Sequence, residues 1–385
     1  MTSPWRAIAL LVAVLGCTES PPRDVPPAEP LGAATDSIAT SFTMPRWLSE
    51  SADGSLVLFD RAAEGLHRVP SGSGEAEPLS RRGRGPMEYR MVQRILRGPG
   101  DTLFVMDLPD AKAIVLDAQA RPLREQRSPV PTSMTSAFTD GWVRAISDAG
   151  DWFFSDREMR LSPNFFVDDS ASVVIWRTAS ERRDTLARVG MRPIEFSART
   201  SPPRLDAFDP IDAWGVFRDG RVIVVRGRDY SIELVDPDGR VTQAGRGPTP
   251  LLPLAREDAE FTRDSLNRQR TELMRRMPMN PMSGAAGVSG GRPLPVLPDP
   301  LPTHWPLLRG DEVHVDWQER AWVRVRTAPR DTGPSRYDLF DRDGRFLKAV
   351  AVDAGGIVIG FGRSAVFVAW PDEDELRWVK RHPLP

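Results

Sequence analysis

The sequence predicts an all-β protein: a six-bladed β-propeller closed by an N-terminal strand and carrying one helix-containing insertion. Three observations carry that prediction. An apolar strand, an Asp-rich tight turn and a second strand recur, most fully at Tyr230–Arg240 and Tyr337–Arg345 and in worn form at Ala113–Arg121. Strongly apolar segments beside Gly or Asp turns fall at Ser55–Asp60, Asp101–Asp107, Gly141–Ile146, Gly220–Val225, Ala321–Val325 and Ser364–Ala369. Each reads as the second strand of a blade, and where nothing is inserted the repeat is roughly 40–50 residues, the length of a four-stranded unit. Finally, Arg82–Tyr89, Gly190–Phe196 and Gly245–Pro248 place Gly and Pro between the last strand of one unit and the first of the next, where the chain must cross sharply.

Taken in order, the chain opens with a targeting segment at residues 1–17. Arg6 precedes the apolar run Ala7–Leu15, which is too short to span a bilayer at about 20 residues. It ends in Val14-Leu15-Gly16-Cys17, which resembles the lipobox of bacterial lipoproteins. That resemblance implies a diacylated Cys17 after cleavage, and acyl chains of this kind suffice for stable anchoring. Cys17 is the only Cys in the sequence, so neither disulfides nor a Cys-based metal site is expected. Residues 18–36 are Pro-rich with few large apolar side chains and read as a tether.

The propeller is expected over 37–385, with blades near 44–80, 88–128, 132–190, 205–247, 300–352 and 353–383. The last offers only three strands, and Ser37–Phe42 has strand character without a blade of its own. Its expected place is the outer edge of the last blade, which closes the ring. Two stretches break the period. Residues 148–172 lengthen a loop in the third blade. Residues 249–303 form a larger insertion with a helix over Leu254–Met277, its stripe Ala259, Leu266, Leu273 and Met277, followed by a Met-, Gly- and Pro-rich linker. Both insertions and the crossings are expected on one face, the Asp-Gly-Arg turns on the other.

The chain resembles the six-bladed TolB-like and NHL-like propellers, in particular lipoproteins of bacterial envelopes. The likeness rests on Val14–Cys17, the crossing Gly83–Tyr89 and the Asp-x-Asp-Gly-Arg turns at Asp236 and Asp341, and covers 37–383 apart from the insertion. It implies fold and address. Members of that group include protein-binding scaffolds, lactone hydrolases and lyases, so fold leaves activity open.

Chemical signatures are sparse. The four His (His67, His304, His314, His382) form no close metal-type pair, and the Asp-Gly turns lack the Glu that a Ca²⁺ loop needs at its twelfth position. No phosphate-loop ending is present. A net charge of -2 gives no basic field for nucleic acid. Elaborated loops on a rigid scaffold are where binding resides. The candidate binding face therefore comprises Arg84, Glu88, Arg192, Glu195 and Arg246 in the crossings, with Trp152 and Trp305 beside the insertions. The reading is a lipid-anchored, monomeric, non-catalytic scaffold for an envelope protein or peptide, without cofactor. Its alternatives are a hydrolase or lyase with a metal in the channel, and a small-ligand capture lipoprotein with 254–277 as a lid.

Overall fold

The computed structural model describes residues 25–72, 74–130, 143–157, 159–160, 165–192, 194–196, 206–276, 296–310, 313–330 and 333–385. The expected signal segment, Cys17, the first part of the tether and residues 277–295 of the insertion lie outside them. Among the described residues, no helix is long and apolar enough to cross a membrane.

The strands in chain order are β1 Ala28–Pro30, β2 Asp36–Ser37, β3 Pro45–Glu50, β4 Leu56–Asp60, β5 Gly65–Val69, β6 Glu77–Pro78, β7 Val92–Arg97, β8 Leu103–Asp107, β9 Lys112–Leu116 and β10 Pro122–Arg127. They continue with β11 Val143–Ile146, β12 Trp152–Asp156, β13 Met159–Arg160, β14 Phe165–Val167, β15 Ser170–Arg177, β16 Arg182–Gly190, β17 Ile194–Phe196, β18 Ala213–Val216, β19 Val222–Val225, β20 Ser231–Val235 and β21 Val241–Arg246. Helix α1 Arg256–Arg276 follows, then β22 His314–Val315, β23 Ala321–Val325, β24 Ser335–Phe340, β25 Phe346–Val352, β26 Ile357–Phe361, β27 Ala365–Pro371 and β28 Arg377–Pro383.

These strands form antiparallel meanders arranged as in a propeller. The runs β7–β10, β11-β12-β15-β16 and β18–β21 are separate sheets, β22–β25 carries β1 on its outer edge, and β3–β6 joins β26–β28 and β2 in one larger sheet. The join is short: β26 pairs with β3 in parallel at Gly360↔Leu48 and Phe361↔Ser49 only. First strands neighbour one another around the molecule, β3 beside β7, β7 beside β11, β11 beside β18 and β18 beside β22. The circuit completes where His314 of β22 meets Phe361 of β26, ring centroids 6.2 Å apart. Close approach explains two glycines. A Cβ on Gly360 would lie 1.9 Å from the Leu48 carbonyl oxygen, and one on Gly215 would lie 2.4 Å from that of Val313.

The middle strands are apolar along their whole length because neighbouring units cover both faces. Val57, Val105, Phe153, Val173, Val224 and Val366 are fully buried. The Asp-rich turns follow turn chemistry: Asp341 Oδ1 accepts from the N–H groups of Asp343 and Arg345, each at 2.9 Å. Asp60 and Asp107, at the ends of second strands, instead receive the incoming chain, Asp60 from Thr43 and Met44 and Asp107 from Arg90 and Met91.

The N-terminal segment does more than the sequence suggested. Asp36 and Ser37 pair antiparallel with Arg381 and Lys380, and the bridge Phe42↔Arg377 extends the contact. The tether expected to span 18–36 is ordered over its second half. Ala28–Pro30 adds in parallel to Ala349–Ala351, Leu31 packs on the core, and the Pro26 carbonyl accepts from Arg336 Nη1 at 2.8 Å. Backbone pairing to an open strand edge overrides the composition here.

Three further expectations are corrected. Gly141–Ile146 is placed as a second strand by its apolar character, yet Val143–Ile146 opens its sheet and Trp152–Asp156 is second. The region read as a loop over 148–172 contains β13 and β14, which pair with β17 in a small separate sheet. The helix begins at Arg256 rather than Leu254, and its stripe is not uniformly packed: Ala259 is buried while Leu266 is exposed.

Candidate functional site: an arginine-lined central channel

Every first strand contributes to one cavity of about 170 Å³ on the propeller axis. Four of those strands carry register irregularities: β3 between Arg46 and Ser49, β7 between Val92 and Arg94, β11 between Val143 and Ala145, and β26 between Val358 and Gly360. A bulge inserts a residue and re-aims its side chain. On β3 the irregularity includes Trp47, at φ 54°, and on β11 it includes Arg144. Both line the cavity.

The charged lining is mainly cationic. Arg94, Arg97, Arg144 and Arg218 line it together with Asp316 and Glu319. Three of the arginines lie over indole rings: Arg94 over Trp47 at 4.4 Å, Arg97 over Trp317 at 3.1 Å and Arg144 over Trp214 at 4.7 Å. An aromatic face stabilises a partly desolvated cation and holds the guanidinium plane. Arg94 and Arg144 sit near the starts of their strands, whereas Arg97 and Trp317 sit at the ends. Arg363 adds a second guanidinium over Trp317 at 4.4 Å.

Asp316 is fully engaged and Glu319 only through one oxygen. Asp316 is buried and committed: Oδ2 accepts from Arg320 Nε at 2.8 Å and Trp322 Nε1 at 2.9 Å, and Oδ1 from two backbone N–H groups. Glu319 Oε2 accepts from the Arg218 N–H at 2.9 Å. Burial pushes the Glu319 carboxyl above its ordinary value, against that N–H, and Asp219 pushes the same way. Burial pushes Arg97 down to about 9, with Arg218 acting in the same direction and Glu319 and Asp148 opposing. The guanidinium keeps its charge at neutral pH. The metal alternative asks for convergent His, Asp, Glu or Asn. Among the described residues no group of three or more His, Cys, Asp and Glu converges. The arginines present here repel a cation.

The residues expected on the binding face fare differently. Glu88 does not pair with Arg84. Its carboxylate folds back over its own loop, accepting from the Gly85 N–H at 2.7 Å and from Arg81. Those bonds, the Gly85 N–H first, hold its carboxyl below the ordinary range. A Cβ on Gly83 would meet Glu88 Oε2 at 1.9 Å, so the Glu88 side chain would have to shift. Tyr89, the last residue of the motif, is buried and reaches the preceding unit: it accepts from the Leu66 N–H and donates to the Glu64 carbonyl, both at 2.9 Å. The motif is therefore a crossing lock, and Arg84 projects from it into solvent.

Arg192 is exposed while its carbonyl accepts from Arg157. Arg246 reaches Asp229 at 3.3 Å. Glu195 lies on β17 opposite Phe166. Arg84, Arg192 and Arg246 do not contact one another among the described residues.

Trp152 and Trp305, expected as exposed contacts, are 1% and 3% exposed. Trp152 is on a second strand and packs edge-on against Phe104. Trp305 anchors the insertion: with Phe208 and Ala259 it forms a small separate core, and Arg326 covers its ring at 4.5 Å.

No family model and no curated protein sequence matches the chain. Similar solved structures include a member of the DUF4221 family from Bacteroides vulgatus, 7% identical, covering 91% of this chain and 97% of its own at TM-score 0.45. A gluconolactonase from Xanthomonas campestris is 12% identical, with coverages of 93% and 99% and TM-score 0.41. Virginiamycin B lyase from Staphylococcus aureus is 10% identical, with coverages of 90% and 97% and TM-score 0.40. Likenesses this distant transfer no activity, and the site has to be read from its own residues.

Proposed function

We propose that this chain is a lipid-anchored, six-bladed propeller of the cell envelope that binds, rather than converts, an anionic ligand in its central channel. The observation that carries the reading is the set of three arginines held over Trp47, Trp214 and Trp317 around one cavity. Cations fixed in a low-dielectric pocket attract an anion more strongly than the same cations in water. The count of six follows from dividing the larger sheet at its two-residue parallel join, which leaves β3–β6 and β26–β28 with β2 as separate blades. The anchor follows from Val14–Cys17.

Binding is tested by tryptophan emission of the full chain titrated with acetate, benzoate and inorganic phosphate. At least one saturable response is expected, lost in an Arg94→Gln, Arg144→Gln double variant that melts normally. No response to any anion overturns the channel reading. Anchoring is tested by labelled-palmitate incorporation, which Cys17→Ala should abolish.

A second reading keeps an envelope protein or peptide as partner on the crossing-loop face, and is favoured by the exposure of Arg84 and Arg192. Crosslinking in native envelopes should then yield a partner that charge reversal at both positions removes.

A further inference from the structure

Resting on the channel reading, we infer that the ligand is a small organic carboxylate with a flat apolar body about the size of one aromatic ring. Three features of the cavity select that class.

The first is room. A cavity of about 170 Å³ compares with the roughly 150 Å³ of an apolar cavity that accepts benzene, and falls below the roughly 300 Å³ at which drug-sized sites begin.

The second is the wall. Between the charged groups it is built of Leu48, Ile95, Ile146, Val315, Ile359 and Phe361 together with the Trp47 and Trp317 indoles, while Trp214 is fully buried beneath Arg144. An inorganic anion entering there gives up water and gains nothing from the apolar stretches between the arginines. A ligand with an apolar body recovers that cost by burying its own surface.

The third is the cation geometry. A guanidinium lying over an indole keeps its N–H edge in plane, and that edge matches the two oxygens of a carboxylate. Arg97 supports this from the far end. Among the described residues it has no ion pair, its cation faces the Trp317 ring, and it lies in the field of Arg218 and Arg363. Cationic charge is thus present along the channel while one of its two acids, Asp316, is engaged with Arg320.

The test is isothermal titration of the full chain with four probes: benzoate, acetate, benzyl alcohol and inorganic phosphate. Benzoate is expected to bind at least roughly tenfold more tightly than acetate, which lacks the body, and than benzyl alcohol, which lacks the charge. Phosphate is expected to bind no more tightly than acetate. If acetate or phosphate equals benzoate, the ligand class is overturned while the anion channel stands. If benzyl alcohol equals benzoate, the arginines are not read and both fall. If none of the four binds, the channel reading itself falls. Arg144→Gln should weaken benzoate at least roughly tenfold with an unchanged melting temperature. Should that variant not fold, the four-probe comparison on the unaltered protein still decides.

Discussion

Arg381 Nη2 donates to Glu50 Oε1 at 2.7 Å, joining the last strand of the chain to the end of its first long strand. The other oxygen of Glu50 accepts from the Arg363 N–H at 2.6 Å. One carboxylate, 7% exposed, thus bridges both sides of the seam where the ring closes. Strand pairing at that seam is limited to the two β26–β3 partners, so a partly buried charge-assisted contact adds to it.

Glu50→Ala is expected to destabilise the fold by about 1–2 kcal/mol, because it leaves the partly exposed Arg381 and the Arg363 N–H without their acceptor. Urea denaturation measures it. A loss below about 0.5 kcal/mol would mean that strand pairing alone closes the ring.

Gly360→Ala attacks the same seam through backbone rather than charge. The added methyl meets the Leu48 carbonyl oxygen, which cannot rotate away as a side chain could. Overpacking of this kind costs about 1–3 kcal/mol, and the expected readout is a lower melting temperature with faster amide exchange at Leu48 and Ser49. A protein as stable as the parent would show that β3 and β26 separate freely.

How much of this was legible in the sequence depends on whether a feature repeats. The Asp-x-Asp-Gly-Arg turns recur and place their strands well, because Asp binding its own backbone is a local event. Trp152 lies on the second strand of its sheet, whereas the sequence offers the apolar Gly141–Ile146 for that position and Trp152-Phe-Phe154 for a loop. The period breaks in that blade, so strand order could not be counted. Arg94 and Arg144 carry no motif. The available signal was an arginine among apolar residues of a first strand, as in Val143–Ile146 and, beside Gln93 and Arg97, in Val92–Arg97, which reads as a surface position until the first strands are known to face a shared axis. Packing of β1 on β25 was hidden by the Pro content of the segment.

Asp338 should behave as the junction of three otherwise separate parts. It is fully buried and accepts from Tyr230 Oη at 2.8 Å, Thr249 Oγ1 at 2.7 Å and Arg336 Nε at 2.7 Å. Thr249 begins the insertion and Arg336 also holds the Pro26 carbonyl. Asp338→Ala strands a buried guanidinium and is expected to cost about 3–5 kcal/mol. Limited proteolysis should then cut near both Pro26 and Thr249. Cutting at only one site would show that the junction does not couple them.

Trp305→Ala separates the insertion from the propeller. Its cluster with Phe208 and Ala259 is distinct from the cores between sheets, so the loss of about 3 kcal/mol falls locally. Faster proteolysis within 256–276 is expected with little change in the main unfolding transition. A large drop in that transition would place the helix within the cooperative unit.

The pH dependence of anion binding follows from Arg97 and the groups around it: Arg218 and Arg363 of like charge, Glu319 and Asp148 of opposite charge, and the Trp317 face. As pH rises through about 9 the Arg97 cation is lost and affinity for an anion falls. At the acid end the buried Glu319 carboxyl, with its value raised, protonates first and removes a negative charge from the lining, so affinity rises as pH falls. Both groups therefore make affinity decrease with pH. Stability separates them. A guanidinium lowered in the folded state binds its proton less tightly there than in the unfolded chain, so its contribution to stability increases as pH rises from about 9. A carboxyl raised in the folded state contributes stability that is full below the unfolded value and is lost as pH rises through the folded one. Benzoate titrations from acid to alkaline pH, run on the parent and on Arg97→Gln, distinguish these terms. The alkaline step should vanish in the variant while the acid step remains, and an alkaline step that survives would remove Arg97 from the site.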